Sequence, residues 1–365
     1  MRTSHIRAIS IYLAALLFGA AVLHIARVSA SPASTPISHA AVQASAGASG
    51  YHVVNKFKLG GDGGWDYITL EPTTHRLFIS RGTHVMVVDP EKGTVLGDVP
   101  GMHRVHGIAL VPEFNKGFVS DGNPGSVFIF DLTTLKVLDE VKTQPDCDGL
   151  IYDPGTKRIF TANGDAKTAT AIDAATGKVI GNVDLGGGPE FLQADGKGHL
   201  FVNLEDKSEL VKVDANALKI EATWPLAPCE SPSGLAIDAA HERLFVGCHN
   251  KFMAMVDGDS GKVLGTVPIG QGVDANRFDP GTGYAFASTG DGNITVAHED
   301  SADKMSPVDT VATLRGARTM EFDPASHNLY TVTAEFGPAP AAQAGQRAPR
   351  PPMIPGSFTL LVLSR

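Results

Sequence analysis

The chain of 365 residues repeats itself seven times, and no other feature limits its possible folds so severely. Aligned on a polar residue ahead of a short apolar strand, the repeats begin at Asp66, His106, Asp148, Glu190, Ser233, Asp274 and Arg318. The steps between them are 40, 42, 42, 43, 41 and 44 residues. A unit of that length cannot bury a core alone, so it must pack its faces on its neighbours; a regular period of this size marks a repeat array.

Four strand-sized pieces follow in the same order within each unit. The first is short and apolar, as in Gly107–Val111, and a turn follows, as in Asp153-Pro154-Gly155-Thr156. The second carries an aromatic near its middle: Phe78, Phe118, Phe160, Phe201, Phe245, Phe286 and Tyr330. The third ends in Asp at Asp89, Asp131, Asp173, Asp214 and Asp257, where a carboxylate can accept backbone N–H groups of the next turn. A tight hairpin such as Ala175-Thr176-Gly177-Lys178 then leads to an outer strand. Short strands at this spacing predict an all-β, seven-bladed β-propeller. The last unit has a first strand at Arg318, a second at Asn328 and a third at Phe358–Leu363, but no fourth. Residues 51–57 supply it from the other end, which closes the ring and removes its open edges.

The Asp-x-x-Thr-Gly-Lys-Val turn at Asp173–Val179, its Ser variant at Asp257–Val263 and the Asp-Pro…Arg-Leu-Phe segments resemble the YVTN-repeat, YncE-like family of exported seven-bladed propellers, over residues 51–365. The resemblance implies the fold, a WD40-like repeat and export. It says little about activity, because propellers host binding, scaffolding and several chemistries. Two departures stand out: Ala297-His298 replaces the Val-Asp end in blade six, and blade seven carries an insertion.

Residues 1–30 read as a signal peptide, with Arg2 and Arg7 ahead of the apolar run Ala8–Ala26 and small residues at Val28-Ser29-Ala30; an uncleaved membrane anchor is the alternative. Cleavage removes three arginines and no acid, so the net charge of −9 becomes −12. That sign gives no indication of nucleic-acid binding. Residues 31–50 read as a flexible Ala/Ser-rich tether, residues 51–365 as the propeller, and the Pro/Ala-rich stretch 336–356 as a lid, a partner-binding arm or a disordered insertion. The expected location is the periplasm or the exterior, with membrane contact only through an uncleaved signal.

In a propeller the loops entering the first strands open on one face, around the channel, beside those joining second and third strands. The repeat starts therefore become a ring of ligand-binding candidates: Asp66, His106, Asp148, Glu190, Ser233, Asp274 and Arg318, with His249 from the second set of loops, which also carries Arg81. His106, Asp148 and Glu190 are candidate ligands for a divalent metal, since imidazole with carboxylates suits zinc, iron or manganese. Gly61-Asp62-Gly63-Gly64 has the composition of a calcium loop, and of an ordinary turn. Cys229 and Cys248 fall on one face of blade five and are positioned for a disulfide; Cys147 is left over. Trp65 reads as a wall of the mouth or as packing between blades. These features point to a binding or scaffold protein with an acidic face for a small molecule or a protein partner. The alternative is a metal-dependent hydrolase, lyase or lactonase-type enzyme on the same face, with no catalytic residue identifiable from the pattern.

Overall fold

A computed structural model describes residues 49–340 and 351–365. The expected signal peptide and most of the tether lie outside the described residues. The rest forms seven four-stranded antiparallel sheets, each with its strands in sequence order except the last. Their innermost strands are Ile68–Glu71, Val105–Val111, Cys147–Asp153, Pro189–Ala194, Pro232–Asp238, Val273–Asp279 and Met320–Phe322. In blade seven the order is Met320–Phe322, Leu329–Thr333, Thr359–Ser364 and then His52–Lys58. The first strand of the chain thus pairs antiparallel with its last, from His52 opposite Ser364 to Lys58 opposite Thr359. Ser49, within the expected tether, is buried and donates through its N–H and Oγ to Asp309 Oδ2.

The aromatic of each second strand explains how the sheets adhere. All seven side chains, from Phe78 to Tyr330, are at most 2% exposed. Burying each one stabilises the disc by roughly 2–3 kcal/mol. The turns follow the expected chemistry: Asp173 Oδ1 accepts from Thr176 N at 2.7 Å and Thr176 Oγ1 at 2.6 Å, and Gly177 takes φ +75°. Blade six has His298 where this Asp belongs. Without the cap its hairpin runs on, giving strands Asn293–Ser301 and Lys304–Ala312.

The repeat starts are where the ladders break. In blades two to six the register slips between Val105 and Ile108, Cys147 and Leu150, Pro189 and Leu192, Pro232 and Leu235, and Val273 and Asn276. The two residues skipped each time include the polar candidate. A bulge re-aims side chains that a regular strand would hold in its alternation.

Candidate acidic cup at the channel mouth

Four of the re-aimed side chains, His106, Asp148, Glu190 and Asp274, join Asp66, Arg104, Arg318 and Thr319 to line a cup of about 240 Å³, with Tyr67 and Phe191 below them. His106 Nδ1 lies 2.6 Å from Asp66 Oδ2 and 3.6 Å from Asp148 Oδ1. Arg318 Nη1 donates to Asp274 Oδ1 at 2.7 Å, and its Nη2 lies 3.3 Å from Asp66 Oδ1. Among the described residues Glu190 makes no side-chain hydrogen bond or ion pair, and the buried atoms Asp148 Oδ1 and His106 Nε2 have no hydrogen-bond partner.

The floor is aromatic. Tyr67 of blade one and Phe191 of blade four meet across the channel with ring centroids 5.2 Å apart. Gly149 makes room for them: a Cβ there would stand 3.2 Å from the Tyr67 hydroxyl and 2.7 Å from Glu190 O. Below this floor lies a second cavity of about 410 Å³, lined by aliphatic residues, Thr69, Tyr152, Gln193 and the Arg277–Glu321 ion pair, Nε to Oε1 2.9 Å. Glu321 therefore belongs to the far side of the channel from Arg318.

Crowding sets the electrostatics. Burial, then the charge of Asp66, pushes the Asp148 carboxyl up to about 7 against the pull of His106. Burial raises Asp274 to about 6, with Arg318 opposing and Asp66 adding. Glu190 is held well above the usual carboxylate range by burial and by Asp148. Burial works against a charged His106, but the hydrogen bond to Asp66 and the charges of Asp148 and Asp66 outweigh it, so its pKa rises. Four acids share one imidazole and two guanidiniums, Arg318 and the more distant Arg104.

The ring expected from the repeat divides. Asp66, His106, Asp148, Glu190, Asp274 and Arg318 converge on the cup, while Ser233 is 2% exposed and directs its hydroxyl towards Asp274 O at 3.5 Å. His249 lies farther out, with Nε2 3.7 Å from Glu205 Oε1. The expected metal trio also shifts. Donor atoms of Asp66, His106 and Asp148 lie within 4.8 Å of one another, so Asp66 and not Glu190 completes the set. The imidazole turns back towards blade one, and Glu190 stands one blade beyond Asp148. A second trio, Asp238, His241 and Glu299, sits at the opposite end of blades five and six. The long hairpin of blade six brings Glu299 there, a consequence that His298 in place of the capping Asp could have signalled.

Arg81 is no part of the mouth. It is fully buried and donates to the carbonyls of Gly60, Asp62, Gly63 and Gly64 at 2.9–3.3 Å, with its guanidinium 3.6 Å from the centre of the Phe358 ring. The loop with calcium-like composition thus holds the protein's own cation. Trp65 packs on Phe358 and Phe336, at 5.4 and 6.1 Å between ring centroids. Cys229 and Cys248 form a disulfide with Cα atoms 5.3 Å apart, and the Cys147 thiol is buried and pushed up to about 12, first by burial. The base of the blade-seven insertion is a short ladder, Phe336 opposite Met353.

The sequence matches no protein-family model and no curated protein. Solved structures resemble it in shape. A chain of hydrazine synthase from Kuenenia stuttgartiensis superposes with a TM-score of 0.63 at 17% identity, covering 73% of this chain and 92% of its own. The WD40 repeats of RRP9 superpose with a TM-score of 0.70 at 11% identity, covering 87% and 99%. At these identities the likeness establishes the propeller fold and nothing about the chemistry.

Proposed function

We propose that this chain is an exported, non-enzymatic binding propeller, related to the YVTN-repeat proteins, whose acidic channel mouth takes a cationic ligand. One observation carries the reading: in the cup, four carboxylates from four blades face one imidazole and two guanidiniums, those of Arg104 and Arg318, and three of those carboxyls are driven up the pH scale by burial and by neighbouring carboxylates. A cation entering the cup would relieve that repulsion and displace the protons held there. Rigid inner strands from separate blades supply the convergent polar groups that a ligand site needs.

Acid extraction of natively exported protein, purified without chelator or affinity metal, tests this. Metals are then read by mass spectrometry and amines by derivatisation. One equivalent of a metal or an amine is expected, lost in Asp148→Asn/Glu190→Gln. Protein that releases neither, and whose melting temperature no metal or amine raises, overturns the reading.

The grouping of Asp66, His106 and Asp148 favours a second reading, a metal-dependent hydrolase or lyase in which these three hold the ion. A stoichiometric divalent metal that is lost in His106→Ala would favour it.

A further inference from the structure

The cup does not end at its rim. Asp148 and Glu190 also line a cleft of about 330 Å³ that runs outward between blades three and four, past Asp165, Glu205 and Asp206. One cation lines the cleft, Lys167, which pairs with Asp206 at 3.1 Å, and Arg104 reaches over from the cup to pair with Asp146 at 2.9 Å. Asp165 has no ion pair among the described residues, and Glu205 faces only His249. Cup and cleft form one acidic trough, bent at Asp148 and Glu190.

We propose that the ligand is a linear aliphatic polyamine, with its terminal ammonium in the cup and the following nitrogens along the cleft; this rests on the cation-binding reading above. The position of the unused acceptors favours an extended ligand over a bare ion. Both Asp66 oxygens are occupied, Oδ2 by His106 and Oδ1 by Arg318. Glu190, with no side-chain partner among the described residues, and Asp148 Oδ1, with no hydrogen bond and a single 3.6 Å ion pair to His106, stand where the two cavities join. An ammonium has three donors and no acceptor, which suits carboxylates arriving from separate blades. Tyr67 and Phe191, which line the cup, offer apolar surface to the ligand's methylenes. The volume argues the same way: the cup alone would hold about eight waters at their liquid volume.

Isothermal titration of the full chain with butylamine, putrescine and spermidine, and with Ca²⁺, Mn²⁺ and Zn²⁺, tests the proposal. Affinity should rise by about tenfold with each added ammonium that finds a carboxylate. Glu190→Gln should weaken all three amines. Asp165→Asn/Glu205→Gln, at solvent-facing positions where folding is not at stake, should weaken spermidine and leave butylamine unchanged. Amines that bind equally whatever their length, or spermidine binding that ignores the cleft substitutions, would overturn the proposal. Metal binding without amine binding would overturn it too and leave the cation-binding reading standing. A chain that binds none of these cations defeats both.

Discussion

Replacing Arg81 by methionine removes the cation that binds the Gly60–Gly64 loop while keeping most of the side-chain volume. Four backbone carbonyls then lose their donor, and Phe358 loses the guanidinium stacked on it at 3.6 Å. Hydrogen bonds from a charged donor are each worth about 1.5–3 kcal/mol. They do not add here, because Asp62, Gly63 and Gly64 are exposed and their carbonyls can turn to water. The expected loss is that of about two such bonds, about 3 kcal/mol. For a disc of this size each kcal/mol lowers Tm by roughly 1.5 °C, so a fall of about 5 °C is expected. Arg81→Lys keeps a charge but loses the planar fork and the stacking, and should fall in between. Circular dichroism melts at pH 7 give the answer, with calcium added in a parallel set. Burial brings Arg81 down only to about 10, so the guanidinium is charged throughout. A Tm within 1 °C of the parent, or a loop that calcium stabilises in the parent, would refute the assignment of Arg81 as its resident cation.

The acidic cup predicts an inverted pH dependence. Asp148 and Asp274 titrate near 7 and 6 when folded, above their unfolded value, so the folded state holds protons that the unfolded chain has released. That stability is full below about pH 4 and is lost as pH rises towards 7. His106, also raised, contributes in the same direction. About a quarter of the Asp148 side chain is exposed, which discounts its effect to about 1–3 kcal/mol. Asp148→Asn should therefore flatten the curve of Tm against pH between about 4 and 7 and raise Tm at pH 8; a curve that keeps its slope contradicts the crowding. The Cys229–Cys248 bridge spans 19 positions, so Cys229→Ala/Cys248→Ala should cost about 3 kcal/mol, read from denaturant melts. Thiol titration of the folded parent should find Cys147 silent until denaturant is added, because it is buried and its thiolate is disfavoured.

The period, the aromatic of each second strand and the Asp-capped hairpins are local signals, repeated until chance is excluded, and they determine the seven blades and the closure by the N-terminal strand, read as residues 51–57 and found at His52–Lys58. The repeat also places seven ring residues towards one mouth, since equivalent positions in a radial array must face the same axis, and six of them reach the cup. It does not reveal which way each side chain turns. That is decided by the bulge at the head of five inner strands and by what stands across the channel, contacts between residues 40 to 252 positions apart such as His106 with Asp66 and Arg318 with Asp66. Hence Ser233 turns towards the neighbouring blade, Asp66 replaces Glu190 beside the imidazole, and Arg81, which reads as a solvent-facing loop residue, is buried under a glycine loop. Sequence determines the periodic scaffold because it is encoded in nearest neighbours; the charge balance of the cup belongs to the closed ring, where seven separate segments first come within reach of one another.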